Sequence, residues 1–150
     1  MADGSPAHNP ALADLAPLIG DWRVTVSNAS FLSEGSTLSG TTSFSWLDDA
    51  LIVMRSEFPE GGPPRSTSVI GRNESLDTYS MLYYDARGVS RTYTMGFDVD
   101  TWMLLRQDPD FYQRFVGRLD GDTISAEWQI STDAGVTWEH DFDLTYERLP

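Results

Sequence analysis

Polar and apolar residues alternate near the C-terminus, in the run TWEHDFDLTYER. This run contains His140, the residue that is the strongest candidate for a catalytic or ligand-binding role. One set of alternate positions is mostly aromatic and the other mostly acidic: Trp138, His140, Phe142, Leu144, Tyr146 and Arg148 against Glu139, Asp141, Asp143, Thr145 and Glu147. Because successive side chains of a strand point to opposite faces, the acidic set is predicted to face water and His140 to point inward. An inward histidine is a candidate general acid or base, since its pKa lies near neutrality.

Two other roles for His140 stay open at this point. An imidazole nitrogen can ligate a haem iron, and a core histidine can simply hydrogen-bond to a tyrosine or to the backbone. The second histidine, His8, lies in a segment that is predicted to be a loose tail. Since a zinc site needs three or four protein ligands, one histidine from the folded part does not make one, and no metal site is predicted.

Other strands add polar groups to the same predicted inner surface. The predicted ligand-binding set is Trp102, Arg106, Gln113, Trp128, Trp138, His140, Tyr93 and Phe115. A mostly apolar cavity with a few convergent polar groups is typical of a small-molecule site. If the protein is an enzyme, the predicted catalytic residues are His140, which would move a proton, and Arg106 or Tyr93, which would stabilise developing negative charge.

An alternative is that the aromatic side chains fill the interior and leave no cavity. Burying an unpaired guanidinium is costly, so an inward Arg106 favours an open interior unless a carboxylate or water satisfies it. In the segment 77–85 two inner sets fit the pattern equally, one with Tyr79, Met81 and Tyr83 and one with Ser80, Leu82 and Tyr84.

Composition excludes several classes of chemistry. The chain has no Cys, and all ten of its basic residues are Arg, so thiolate nucleophiles, disulfides and lysine Schiff bases are absent. A net charge of −13 argues against nucleic acid and anionic membranes as partners. Asp98 and Asp100 could suggest a metal site. They flank a predicted hairpin, however, where Asp is common because its side chain hydrogen-bonds to nearby backbone. No cofactor is predicted from these patterns, and no phosphate-binding or serine-hydrolase motif is present.

The stretch STDAGVTW (residues 131–138) matches the eight-residue pattern of the sialidase Asp-box. A sialidase needs a propeller with several repeats, and this 150-residue chain has one copy. The pattern also favours a turn, because the Asp133 side chain can hydrogen-bond to nearby backbone and Gly135 tolerates a positive φ. It therefore predicts the final hairpin of the sheet and implies no sugar chemistry.

The elements that position these side chains are one short helix and about ten strands. Residues 1–9 are predicted to be a loose N-terminal tail and residues 10–150 a single domain; Asn9, Pro10 and Gly20 are the expected helix signals. Strands are predicted over 22–27, 40–47, 50–58, 66–72, 77–85, 90–98, 101–107, 111–119, 122–131 and 137–149. Short connections between them indicate neighbouring antiparallel hairpins.

The predicted fold class is all-β: an antiparallel up-and-down barrel of roughly eight to ten strands with a short N-terminal helix. A closed barrel removes the exposed edges that an open sheet would leave. At this strand number the interior is wide enough for one small ligand. A two-sheet sandwich is the alternative architecture.

Several motifs resemble those of a bacterial family of lipocalin-like (calycin-type) barrels: Gly20-Asp21-Trp22 after the helix, YYDARGVSRTY, QRFVGRL and TWEHDFDLTYER. In that superfamily the Trp of a Gly-x-Trp signature seals the barrel base and an Arg of the last strand lies across it. The resemblance implies these roles for Trp22 and Arg148, and a flat guanidinium does stack well on an indole. At fold level the chain is also similar to nitrobindin, a haem-binding barrel, but the Pro-His-Leu context of the nitrobindin haem ligand is absent.

The leading hypothesis is therefore a barrel that binds a small, largely apolar or aromatic molecule, with His140 and Arg106 orienting it. One alternative is a cofactor-free isomerase or cyclase that uses His140, and another is a haem-binding barrel of the nitrobindin type. No signal peptide or membrane-spanning run is recognised, so a cytoplasmic location is expected. A homodimer stays open, because some strand pairs carry apolar residues on both faces.

Overall fold

A nine-residue 3₁₀ helix, Pro10–Leu18, opens the part of the chain that this computed structural model describes, residues 8–150. Its signals are those predicted: the Asn9 side chain accepts a hydrogen bond from the Ala11 N–H, and Pro10 occupies the first helical position. The prediction of a loose tail over residues 1–9 falls mostly outside the described residues. Where the two overlap, Asn9 donates hydrogen bonds to the carbonyls of Asp49 and Ala50.

Ten strands follow the helix and form one closed barrel. Their bounds are β1 Gly20–Ser27, β2 Leu38–Leu47, β3 Leu51–Glu57, β4 Ser66–Asn73, β5 Thr78–Asp85, β6 Ser90–Asp98, β7 Thr101–Gln107, β8 Tyr112–Asp120, β9 Thr123–Ser131 and β10 Glu139–Arg148. Each strand pairs antiparallel with its neighbour in sequence, and β1 also pairs with β10. The all-β barrel predicted from the alternation and the short turns is confirmed. Within residues 8–150, no helix is long and apolar enough to cross a membrane.

The helix and Trp22 close one end of the barrel, here called the base. Leu12, Leu15 and Leu18 of the helix are fully buried, as is Trp22, whose indole N–H donates to the Leu18 carbonyl at 2.9 Å. The Arg148 guanidinium carbon lies 4.2 Å from the centroid of the Trp22 ring. The contact implied by the resemblance is therefore present, and it connects the first and last strands.

Arg148 also ties the helix to this end of the sheet. Its guanidinium donates to the carbonyls of Ile19, at 2.8 Å, and Pro17, and to the Asp122 carboxylate at 3.0 Å. These acceptors come from the helix and from the turn between β8 and β9, so one side chain holds three separate segments of chain together.

A β-bulge in β10 overturns one prediction of side-chain direction. His140 pairs with Gln129 of β9, whereas Phe142 pairs with Trp128, and the register shifts between them. One extra residue in a strand moves every earlier side chain to the other face. From Phe142 onward the predicted inward set is correct, but the prediction that Trp138 and His140 point into the barrel is wrong.

The other strands mostly follow the predicted alternation. Trp102, Leu104 and Arg106 are all buried on β7. On β5, Met81 is buried while Leu82 is 54% exposed, so the inner set is the one that contains Tyr79, Met81 and Tyr83.

The STDAGVTW hairpin is held by the carboxylate that its pattern predicted. Asp133 Oδ1 accepts from the Thr137 N–H at 2.8 Å and from the Ser131 hydroxyl at 2.7 Å, and Asp133 Oδ2 accepts from the Thr137 hydroxyl. Gly135 has a φ of 85°, a conformation that glycine adopts without strain. Because Thr137 and Ser131 donate to the charged form, the pKa of Asp133 is lowered to about 2.

Replacing Asp133 with Ala should lower the thermal midpoint, because three donors of the hairpin lose their acceptor. Asp133 stabilises the fold above its ordinary pKa of 3.8 and loses that effect as the pH falls through about 2. The difference between wild type and Asp133→Ala should therefore be largest near pH 7 and shrink toward pH 2. Thermal unfolding across this pH range measures it, with the exposed neighbour Thr132→Ala as control. A difference that grows toward pH 2 would contradict this role.

Candidate functional site

The barrel encloses a cavity of about 390 Å³ that opens at the end opposite the helix, here called the mouth. Its lining residues are Phe31, Met54, Ser56, Phe58, Gly61, Gly62, Pro63, Pro64, Ser66, Ser68, Met81, Tyr83, Arg87, Arg91, Tyr93, Trp102, Leu104, Gln113, Phe115, Trp128, Phe142, Leu144 and Tyr146. The alternative in which aromatic side chains fill the interior completely does not hold.

Aromatic rings form the wall of the cavity that β6 to β9 contribute. The centroid of Trp102 lies 4.6 Å from that of Phe115, and Phe115 lies 5.1 Å from Trp128. Tyr93 lies 5.7 Å from Trp128. Their interplanar angles of 56–65° are tilted or edge-to-face arrangements that aromatic side chains prefer. The wall is thus a connected cluster with defined geometry that presents π-faces and edges to the interior.

A small polar cluster interrupts this apolar wall. The Tyr93 hydroxyl donates to Gln113 Oε1 at 2.8 Å, and Arg91 Nη1 donates to the same oxygen at 3.4 Å. Tyr93 lies two residues after Arg91 on β6, so both face inward. Burial raises the pKa of Tyr93, and the neighbouring Arg91 partly opposes that rise. Tyr93 therefore remains a neutral phenol at physiological pH.

A second polar group lies at the mouth, around a buried carboxylate. The side chain of Asp85 is fully buried; it accepts from the Tyr83 hydroxyl at 2.7 Å and from Arg87 Nη2 at 2.8 Å. The Arg87 hydrogen bonds hold the pKa of Asp85 well below its usual range. Burial, followed by the bond to Asp85, raises the pKa of Tyr83. The Asp85 and Arg87 charges compensate each other and fix the turn between β5 and β6.

Arg106 is buried on the inner face of β7, as predicted, but it does not line the cavity. Its Nε lies 3.0 Å from Asp108 Oδ2, and its Nη1 lies 3.0 Å from Asp110 Oδ1 and donates to the Phe111 carbonyl at 2.7 Å. Its guanidinium also lies over the Phe111 ring, 4.2 Å from the centroid. The Arg106 guanidinium, which the sequence predicts to orient a ligand, instead binds acceptors in the loop between β7 and β8.

Trp138 and His140 lie on the outer face of the barrel. The Arg114 guanidinium stacks 4.2 Å from the Trp138 ring centroid and hydrogen-bonds Gln129. His140 is 41% exposed, and its Nε2 lies 2.9 Å from Asp143 Oδ1. An imidazole in this position cannot reach a molecule inside the cavity.

The outward position of His140 argues against two alternative functions that need this histidine inside the barrel. A cavity reaction with His140 as general acid or base does not fit this geometry. Haem ligation inside the barrel by His140 does not fit either, and none of the described residues that line the cavity is a histidine. Within residues 8–150, no group of three or more His, Cys, Asp and Glu side chains is arranged to hold a metal ion.

Five of the eight predicted ligand-binding residues do line the cavity: Trp102, Gln113, Trp128, Tyr93 and Phe115. The missed lining residues come mainly from β3 to β5 and from the mouth loops. Arg91 had a detectable signal, because it shares a strand face with Tyr93 in the alternation. The loop with Pro63 and Pro64 has no periodicity, so no sequence pattern could indicate that it reaches the cavity.

Comparison with known proteins supports the fold. Neither the protein-family models nor the curated proteins give a match to the chain. Among solved structures, the chain is similar to Rv2717c from Mycobacterium tuberculosis, with a TM-score of 0.64 and 14% sequence identity. The match covers 95% of this chain and 99% of that one. At this identity the likeness shows a shared barrel fold along nearly the whole chain.

Proposed function

We propose that this protein binds a small, largely apolar or aromatic molecule inside the barrel. The observation that carries the proposal is the 390 Å³ cavity with its connected wall of aromatic rings and one polar cluster. Small-molecule sites commonly have volumes of about 300–1,000 Å³ and combine apolar walls with a few placed polar groups. The cavity is at the lower end of that range, which favours a ligand of one or two rings.

The rigidity of the wall supports binding rather than collapse. Trp102 is fixed between Phe44, Phe115 and Tyr146, with centroid distances of 4.6–6.0 Å. Interior side chains at native packing density move little, so a preformed cavity lowers the ordering cost that a ligand must overcome. A flat apolar ligand gains contact with these rings without disrupting their mutual packing.

We further propose that the barrel is of the lipocalin-like type. The supports are the Gly20-Asp21-Trp22 motif, the Arg148 contact across Trp22 and a cavity with one open end. Under this proposal the cavity is the functional site and the helix is a closure of the base.

Titration with 2-naphthamide, a neutral two-ring probe, tests the proposal. We expect saturable quenching of tryptophan fluorescence with a Kd between about 10 µM and 1 mM, the range that ligand efficiency gives for about a dozen non-hydrogen atoms. Trp128→Leu removes a cavity ring and should weaken binding about tenfold. Trp138→Leu removes a ring on the outer face and should leave the Kd unchanged. Absence of saturable binding, or equal loss in both variants, would refute the proposal.

A further inference from the structure

We infer that the ligand of this cavity is a monocarboxylate, whose carboxylate is bound by the Arg91 guanidinium and the Gln113 amide while its apolar body lies against the aromatic wall. The inference rests on the proposed function and adds the charge and orientation of the ligand. Its basis is the polar cluster of Arg91, Tyr93 and Gln113, which offers hydrogen-bond donors and has no acidic partner within the described part of the chain.

The hydrogen bonds of Gln113 determine which way its amide faces. A guanidinium can only donate, so the Gln113 atom that accepts from Arg91 Nη1 must be the oxygen. The Tyr93 hydroxyl donates to that same oxygen. The Nε2 of Gln113, with two N–H donors, is therefore the amide atom that remains for a ligand.

Arg91 contributes the charge of this cluster. Among the residues that the structure describes, only its Nη1 donates to a protein acceptor, at 3.4 Å, and the guanidinium lies over the Phe111 ring at 5.4 Å. Among residues 8–150, no carboxylate lies within the 4 Å ion-pair distance of Arg91, whereas Arg87 and Arg106 both have such partners. Arg91 is thus the lining arginine whose charge is not already compensated.

The lining of the cavity differs sharply from the rest of the protein in charge. The chain has 23 acidic residues against 10 basic ones. Yet the described residues that line the cavity include two arginines, Arg87 and Arg91, and no carboxylate. Acidic side chains thus do not compete for Arg91 inside the cavity, although the protein as a whole is strongly negative.

One uncompensated arginine beside an amide matches a carboxylate better than a larger anion. The planar fork of a guanidinium aligns with the two oxygens of a carboxylate, and charge-assisted hydrogen bonds of this kind are short and strong. A phosphate dianion would need a second free cation, and the charge of Arg87 is already balanced by Asp85. The adjacent rings of Tyr93 and Trp128 suit an aromatic or compact aliphatic body.

Comparison of 2-naphthoate with its neutral analogue 2-naphthamide isolates the carboxylate. We expect wild type to bind 2-naphthoate about tenfold or more tightly than the amide, as a charge-assisted hydrogen bond implies. Arg91→Leu should remove that preference, because it raises the Kd of 2-naphthoate far more than that of 2-naphthamide, whose neutral amide forms no ion pair. Arg114→Leu deletes an outer arginine, so it controls for net charge and should preserve the preference.

A second variant keeps the test decisive if Arg91→Leu does not fold. Gln113→Glu places a carboxylate beside Arg91 and should likewise abolish the preference for 2-naphthoate. Equal affinity for the two probes in wild type, or equal loss of preference in Arg91→Leu and Arg114→Leu, would overturn the inference and leave the proposed function standing. If neither probe binds wild type, both the inference and the proposed function fail.

Discussion

Trp22→Ala is expected to lower the free energy of unfolding by about 3–5 kcal/mol, the range for removing a large buried aromatic side chain. Trp22 is fully buried, and its indole N–H donates to the Leu18 carbonyl. The indole is also the surface on which the Arg148 guanidinium rests. Its loss therefore opens a cavity at the base and removes the platform that connects the last strand to the helix. Chemical denaturation at neutral pH measures the change.

Trp138→Ala is the matched control for that measurement. Trp138 is a half-buried tryptophan on the outer face, where the Arg114 guanidinium lies 4.2 Å from its ring centroid. Both partners are half-buried, and a cation–π pair of this kind contributes about 0.5–2 kcal/mol, so the expected loss is smaller than that of Trp22→Ala. Equal losses in the two variants would contradict both the sealing role of Trp22 and the outward position of Trp138.

Ser68→Phe is expected to weaken binding of 2-naphthamide by about thirtyfold or more, to the limit of detection. Ser68 is buried on β4, between Met54 and Tyr83 on the neighbouring strands, and its side chain lines the cavity. A phenyl ring there occupies part of the 390 Å³ that the probe needs. Since the ring enters existing space, the fold should tolerate it better than a substitution into a close-packed core. Titration by tryptophan fluorescence measures the loss.

Thr67→Phe is the control for Ser68→Phe. Thr67 precedes Ser68 on the same strand and pairs with the exposed Arg55 and Tyr84, so its side chain faces outward. The Thr67→Phe substitution adds the same ring to the opposite face of β4 and should leave the Kd of 2-naphthamide unchanged. Undiminished binding in Ser68→Phe, with its fold intact by circular dichroism, would show that the probe binds elsewhere.

The direction of side chains is predicted correctly from sequence in strands with one apolar and one polar face. Strand β9, with Trp128 inward and Glu127 and Gln129 outward, is an example, and so is β7 with Trp102 and Arg106. In such strands burial determines the register, because a shift by one residue would expose every apolar side chain. The barrel, the base and much of the aromatic wall follow from this period of two.

The bulge in β10 could not be predicted in the same way. Trp138, His140 and Phe142 fit one alternating set, and nothing in TWEHDF signals that an extra residue interrupts the pairing. Trp138 also has a good partner outside, because Arg114 stacks on it. The bulge places His140 on the surface and not in the interior. The hypothesis of a reaction inside the cavity, which needs an inward His140, therefore loses its catalytic residue.

The polar cluster depends on long-range contacts that no local pattern encodes. Arg91 and Gln113 are 22 residues apart, and they meet because β6, β7 and β8 are successive strands in register. Which arginine keeps its charge available depends on where the acidic residues lie. Asp108 and Asp110 follow Arg106 closely in sequence and compensate it, whereas no carboxylate of residues 8–150 forms an ion pair with Arg91.

The most direct test of the central claim is a crystal structure of the protein with 2-naphthamide bound. We expect density for the naphthalene rings inside the barrel, in contact with Trp102, Phe115 and Trp128. Density for the probe confined to the outer surface, or an interior in which these side chains have closed the cavity, would contradict it.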